Sequence, residues 1–488
     1  MKNKKTLRLN ASVFLFLLAC AFITAMNASD NPVYPGVKLR DSSVFTYMGK
    51  VILEGGMPYR DAFDHKGPLM YPINALGLLI SPKYGIWLIE LMTVFIILLF
   101  VYKLARMLEC TPLTAGAVVV LSMLSMFYYF NWGNVTEEYA CAFIILSLYS
   151  FVKYFRTGSI SSWELILCGF SFAAVCLLRI NMAALWVVMC LGVLVHCIRS
   201  RQAGQLVRFI LLFLAGAAVL VVPVAVWLIR GRAMDAFIKD YFLFNLLYCK
   251  SNLLHKINVL AVFCSQAASV LTVAPLVYFW IKERRAIDGL CLGSALFSLI
   301  MISIAGQNYQ HYGLILIPLF AYSAGRTAAA GYDLLQRKDA SFRRTALIAV
   351  ACTLLLMFAQ SFVSFGTVAL PTPKKSQDLA MDKKIAEVIR AHTEPEELIS
   401  VCGNNDRIYL LAGRGSASVY SYQYPLADVD PEIKSRYLED MRAGKARMIV
   451  MDQGDETEGF LQEEMTEILD AGYTLLDSIG AADIYLRK

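Results

Sequence analysis

The sequence predicts an α-helical, many-span membrane protein that ends in a small α/β domain. Three observations carry this: a scarcity of charge, its uneven placement along the chain, and an alternation of basic groups between loops. Of 488 residues, 58% are hydrophobic and 17% are charged, against roughly 25% charged in soluble chains; the mean hydropathy is +0.55. Up to about Phe365 the chain is a succession of uncharged runs separated by short polar loops, and after Leu370 it has the composition of a soluble protein. Runs of ~18 or more apolar residues are long enough to cross the ~30 Å hydrocarbon layer. Buried helices of a large soluble protein do not account for so many in succession.

Candidate spans fall at 11–28, 84–105, 112–130, 139–155, 162–180, 182–198, 209–229, 258–281, 287–305, 313–333 and 345–365, about eleven in all. The first follows Lys2, Lys4, Lys5 and Arg8 and reads as an uncleaved anchor, longer than a usual signal core. Lys103/Arg106, Lys153/Arg156, Arg199/Arg201/Arg208, Lys282/Arg284/Arg285 and Arg337/Lys338/Arg343/Arg344 then fall on the same side as the N-terminus. Loops 131–138 and 306–312, on the other side, carry no Lys or Arg. Positively charged loops stay in the cytoplasm. The expected layout is therefore a cell-membrane protein with a cytoplasmic N-terminus and an extracytoplasmic C-terminal domain. Residues 1–365 form the membrane domain, with a first outer loop at 29–83, and 366–488 form the tail. The net charge of +7 is spread in these small groups, so it does not suggest nucleic acid. Twelve cysteines show no CxxC pair and no metal-type spacing; a Cys249–Cys402 bridge is the one pairing the outer segments would allow.

In the tail, 378–392 reads as a helix and 398–402 as a strand, and Asp430-Pro431 supplies an N-cap and first-turn proline for a helix to Met441. A strand at 447–452, a helix near 458–470 and a strand pair over 473–486 complete a small α/β domain with no phosphate-binding glycine loop.

The chemistry-bearing residues concentrate in the first outer loop. Val44, Tyr47/Met48 and Val51 make one apolar stripe, so a short helix from Asp41 to the Gly55-Gly56 stop is expected in the membrane surface. Asp41 at its start is either an N-cap or a reactive carboxylate. Lys66-Gly67-Pro68 precedes a hydrophobic helix from Pro68 to about Ile80. Unpaired N–H groups at a helix start, joined by Lys66 and His65, suit a phosphate. Asp61 and Asp64 flank this turn, as metal ligands or as groups that orient the cations. On the same face, Thr136-Glu137-Glu138 opens the fourth span and Gln307 to Tyr312, with His311, opens the tenth. Arg179 is expected about one turn inside the outer edge, either facing a cavity or snorkelling to the surface. Glu90 reads as structural.

The pattern Asp41…Tyr59-Arg60-Asp61-x-Phe63-Asp64-His65-Lys66-Gly67-Pro68 resembles the first extracytoplasmic loop of GT-C-fold glycosyltransferases. In particular, it is similar to bacterial relatives of protein O-mannosyltransferases and of the lipid A aminoarabinose transferase. The resemblance implies a polyprenyl-phosphate sugar as donor, a membrane lipid setting, and a glycan, lipid or protein hydroxyl as acceptor on the outer face. It implies that Asp41 is the catalytic carboxylate, that Lys66 contacts the lipid phosphate, and that Arg179, more distantly, is a second basic contact, with His65 and His311 as further phosphate-binding candidates. Many relatives have two adjacent acids where this chain has Asp41-Ser42, which leaves Glu137 or Glu138 as candidates for a second acid. The sequence leaves open whether a divalent metal is required: Asp64 and His65 are its candidate ligands, joined by Glu137 and His311 if the fold brings them together. The alternatives are a polysaccharide polymerase or ligase of another fold, working from Arg230, Arg232 and His255, and a lipid or solute transporter. The first loop also argues against a non-catalytic scaffold.

Overall fold

The computed structural model describes residues 10–29, 31–33, 41–130, 132–337, 341, 343, 344, 348, 373–454 and 457–488. In chain order the helices are α1 (Ala11–Ala25), α2 (Asp41–Leu53), α3 (Met70–Ile80), α4 (Gly85–Met107), α5 (Pro112–Tyr129), α6 (Thr136–Thr157), α7 (Ser162–Leu178), α8 (Ala184–Arg199) and α9 (Ala203–Arg230). They continue as α10 (Leu253–Ser265), α11 (Ala267–Glu283), α12 (Ala286–Ser303), α13 (Ile317–Arg337), α14 (Pro373–His392), α15 (Arg407–Ala412), α16 (Pro431–Arg442) and α17 (Gln462–Gly472). The chain forms two compact units. One comprises Met1–Asn31, Trp87–Val222 and Ser251–Leu370, the other Pro32–Ile86, Pro223–Lys250 and Pro371–Lys488.

The first unit is a helical bundle. Among the described residues, α4, α5, α6, α9, α12 and the stretch Gln310–Leu334 are long and apolar enough to cross a membrane, with α1, α7 and α8 shorter and equally apolar. Only 11% of the most apolar window of α9 is buried, and Leu211, Leu214, Val219 and Val222 point outward. In water each such side chain forgoes ~1.5–3 kcal/mol of burial; against hydrocarbon there is no such loss. The chain is a multi-pass membrane protein. Local signals set the helix ends: Ser161 and Glu164 form a reciprocal capping box at α7, and Thr111 caps α5 ahead of Pro112.

One expected span is broken by a bend. The run 258–281 is not a single helix: α10 and α11 meet at an angle of 78°. Gln266 between them is extended (φ −69°, ψ 141°), and its Oε1 accepts the Tyr129 hydroxyl at 2.8 Å. Ser265-Gln266 is the polar interruption that hydropathy averaging conceals. The expected span 345–365 lies, apart from Ile348, outside the described residues.

In the second unit, α2 and α3 pack closely at Gly49, where a Cβ would come within 2.7 Å of the Ala75 nitrogen. The stripe of α2 does not face a membrane surface as expected. Val44, Phe45, Tyr47 and Met48 are all buried, and the Tyr47 ring lies 5.1 Å from that of Tyr409 in α15. Helix α3 starts at Met70 rather than Pro68, because Pro68 and Leu69 form the turn in which the Met70 N–H reaches the Gly67 carbonyl. The tail carries a four-stranded sheet of β1 (Ile399–Cys402), β2 (Met448–Asp452), β3 (Tyr473–Ile479) and β4 (Ala482–Arg487), in the order β1-β2-β4-β3. β1 and β2 are parallel and the other pairs antiparallel. As expected, Asp430 caps α16 and Pro431 opens it. Cys249 and Cys402 are free thiols, so no bridge joins them.

Candidate active site

The first-loop motif folds as two consecutive tight turns. Tyr59 adopts φ +70°, its N–H donates to the Ala62 carbonyl at 2.8 Å, and the Asp61 carboxylate accepts the Met57 N–H at 2.7 Å. Arg60 grips the same carboxylate at 2.6 and 2.8 Å and donates to the Gly231 carbonyl at 2.7 Å. Asp61 is thus committed to shaping the turn, and Arg60 holds its carboxyl below the usual range.

The second turn presents the candidate cation. Two tyrosine hydroxyls converge on the Lys66 carbonyl, Tyr59 at 2.7 Å and Tyr71 at 2.9 Å. The Lys66 Nζ lies 2.5 Å from His65 Nε2. His65 is set among the rings of Phe244 and Tyr248, at 5.2 and 5.3 Å, and its carbonyl accepts Asn245 Nδ2 at 2.8 Å. Asn245 Nδ2 also donates to the Tyr241 carbonyl at 2.8 Å, in a π-helical turn where the backbone ladder is widened. Asp64 is 1% exposed, and its carboxylate accepts the His65 N–H at 2.7 Å and the Tyr422 hydroxyl at 3.0 Å, with the Tyr71 hydroxyl 3.2 Å away. Burial lifts the Asp64 carboxyl above its ordinary range; Lys66 and these donors act against that rise, and Asp41 adds to it. Asp41 opens α2 with its side chain exposed.

A second cluster gathers in the helical bundle. Arg179 caps the end of α7 rather than lying within it, and donates to Glu137 Oε1 and to the Tyr312 hydroxyl, each at 2.7 Å. Its guanidinium lies 4.2 Å from the centre of the Tyr312 ring. His311 Nε2 is 3.9 Å from Glu137 Oε2, which also accepts the Thr136 hydroxyl at 2.8 Å. Arg179 therefore has a partner inside the protein and does not snorkel. Glu138 belongs elsewhere: with Glu90 it faces the Asn134 N–H, at 3.1 and 2.5 Å respectively. The loop there needs Gly133, whose φ is +76° and whose Cβ would meet Glu90 Oε1 at 2.1 Å.

So the structure joins Asp64, His65 and Lys66 in one turn and Arg179, Glu137 and His311 in one cluster, and separates Glu138 from the latter. Among the described residues no group of three His, Cys, Asp or Glu is arranged to hold a metal ion. Asp64 is occupied by protein donors and His65 faces an ammonium, so this pair does not fit a metal. Sequence reading missed the roles of three tyrosines, Tyr59, Tyr71 and Tyr422, and of Asn245. Tyr59 stood inside the motif and Tyr71 five residues beyond Lys66, whereas Tyr422 is 358 residues from its partner.

The whole chain is similar to solved GT-C structures. ArnT from Cupriavidus metallidurans bound to undecaprenyl phosphate matches with a TM-score of 0.65 and 14% identity, over 97% of each chain. The apo form of that protein matches with a TM-score of 0.60 and 13% identity, again over 97% of each. The fold is GT-C, that of a class of membrane glycosyltransferases. Residues 2–369 match the family model described as "Putative competence-induced protein Ccs4 N-terminal domain", and the chain belongs to that family. No curated protein matches by sequence.

Proposed function

We propose that this protein is a glycosyltransferase that moves a sugar from a polyprenyl-phosphate donor to an acceptor hydroxyl of a cell-envelope glycan, lipid or protein. The observation that carries the reading is the Lys66 turn. Its backbone is held by two neutral tyrosines, so the ammonium charge is not consumed by the groups that position it. No described carboxylate lies within ion-pair distance of Lys66. A lipid phosphate leaving the anomeric carbon gains negative charge, and a preoriented cation beside it stabilises that charge. The GT-C fold, and the undecaprenyl phosphate bound by ArnT, support the same donor class.

Asp41, at the open start of α2, is the proposed base for the acceptor hydroxyl. Arg179 and His311 are proposed as further contacts for anionic donor groups, with Glu137 holding Arg179 in place as its ion-pair partner. Glu138, turned to Asn134, takes no part in this reading. The N-terminus is proposed to be cytoplasmic and the first loop and tail extracytoplasmic, as the basic loops favour. The GT-C fold leaves no support for a polymerase of another fold.

The test uses the full-length protein in lipid nanodiscs with membranes of its own host as acceptor. A panel of undecaprenyl-phosphate hexoses and pentoses, labelled in the sugar, is supplied. Label should pass to acceptor with release of undecaprenyl phosphate for at least one donor. Absence of protein-dependent release across the panel would refute the assignment.

A further inference from the structure

We propose that Tyr422 is a positioning residue for the Lys66 turn. Through it, the C-terminal α/β domain supplies the hydroxyl that holds Asp64, and with Asp64 the backbone of His65 and Lys66, in one arrangement. This inference rests on the reading of Lys66 as a phosphate-binding group.

Of the donors around Asp64, the His65 N–H and the Tyr71 hydroxyl come from the loop itself, while Tyr422 comes from the tail. A buried carboxylate without donors is costly and takes up a proton instead. The segment bearing Tyr422 is fastened along the first loop at several points. The Phe63 N–H donates to the Val419 carbonyl at 2.7 Å and the Ser416 N–H to the Tyr47 hydroxyl at 2.8 Å. Lys50 Nζ donates to the Arg414 carbonyl at 3.3 Å, and the rings of Phe63 and Tyr420 lie 5.2 Å apart.

The next residue ties this segment to the sheet. Gln423 is fully buried; its Oε1 accepts the Gly403 N–H at 3.1 Å just beyond β1, and its Nε2 donates to the Tyr420 carbonyl at 2.8 Å. The route runs from the end of β1 through Gln423 and Tyr422 to Asp64, whose carboxylate then receives the His65 N–H. The tail is thereby a component of the turn rather than a separate module.

The groups bearing on Asp64 are Lys66, Tyr59, Tyr71, Tyr422, Asp41, Asp240 and Asp406. Asp41 opposes its ionisation, and Lys66, the Tyr422 hydroxyl and the His65 N–H favour it; the Asp64 charge in turn raises Asp240 and Asp406. Without the Tyr422 hydroxyl, Asp64 takes up its proton at a higher pH and releases the His65 amide.

The test is binding of undecaprenyl phosphate to the full chain in nanodiscs between pH 5 and pH 8. Tyr422→Phe should weaken binding roughly tenfold at neutral pH, the scale of a lost hydrogen bond to a charged group. It should also shift the acid loss of binding to higher pH. In Asp64→Asn the shift caused by Tyr422→Phe should vanish, leaving the acid loss that His65 and the lipid phosphate titrate, and the double variant should bind no more weakly than the weaker single, since both break one link. Tyr473→Phe deletes a hydroxyl bonded to the Ala446 carbonyl in the same domain and should bind as the unaltered protein does. Unaltered affinity and pH profile in Tyr422→Phe, additive losses, or an equal loss in Tyr473→Phe would each overturn the inference. If Tyr422→Phe does not fold, Asp64→Asn decides alone: affinity and acid loss both unchanged from the unaltered protein overturn the proposal. Lys66→Ala separates the two readings. Undiminished binding there removes the phosphate role itself, whereas a loss there beside a normal Tyr422→Phe removes only the positioning role.

Discussion

The Lys66 turn and the Arg179 cluster use the same kinds of residue, a strong cation, a histidine, a carboxylate and tyrosines, but they distribute charge differently. At Arg179 the cation is first paired internally, with Glu137, at 13% and 3% side-chain exposure for the pair. At Lys66 the positioning is done by the neutral hydroxyls of Tyr59 and Tyr71 acting on the backbone. A cation held by its own counter-ion stabilises the fold first, and one held by its backbone retains its charge for a ligand. Removing each should therefore damage a different property.

The largest effect is expected beside the turn. Asp41→Asn should lower transfer by about 10²–10⁴-fold, the usual contribution of a positioned base, without changing the melting temperature. Transfer near the unaltered rate, followed by release of undecaprenyl phosphate, would remove Asp41 as the base. Next, Arg179→Ala leaves Glu137 buried without its counter-ion, and a loss of about 3–5 kcal/mol of stability is expected. The double variant Arg179→Ala/Glu137→Gln should recover much of it, as thermal unfolding in detergent would register. If Arg179→Ala keeps its stability and loses only donor binding, the contrast between the regions fails.

Lys66→Ala should do the reverse. Loss of a charge-assisted contact of ~1.5–3 kcal/mol corresponds to roughly 10–100-fold weaker undecaprenyl phosphate binding, with the melting temperature retained. The smallest effect concerns pH. Burial raises the Asp406 carboxyl to about 7, against ~3.9 for an unfolded aspartate. The folded chain then binds the extra proton between those values, so stability falls as pH rises from about 4 to about 7. Asp406→Asn should flatten that slope and melt a few degrees higher than the unaltered protein at alkaline pH. Some slope should remain, because Asp240 and Asp452, at about 7 and about 6, act in the same direction. An unchanged slope would show that Asp406 is not the group responsible.

Much of this molecule follows from local pattern. Hydropathy runs locate the helices, Asp430-Pro431 and Ser161-x-x-Glu164 start theirs where capping rules require, and short apolar, β-branched runs find the strands of the tail. These features depend on neighbours within a few residues, so the chain declares them. The first-loop motif likewise marks where Lys66 lies. The bend at Gln266 was hidden because averaged hydropathy passes over the polar Ser265-Gln266 pair, and the Tyr129 hydroxyl that Gln266 accepts lies on another helix. The burial of α2 was hidden because an apolar stripe is the same whether lipid or α3 and α15 cover it. The role of a charge is less local still. Whether Arg179 meets Glu137, whether Glu138 turns to Asn134, and whether Tyr422 reaches Asp64 depend on side chains brought together across 42 to 358 residues, with Asn134 the near exception. Residue type states what a group can do, but burial and partners decide what it is left free to do, and those are properties of the folded chain.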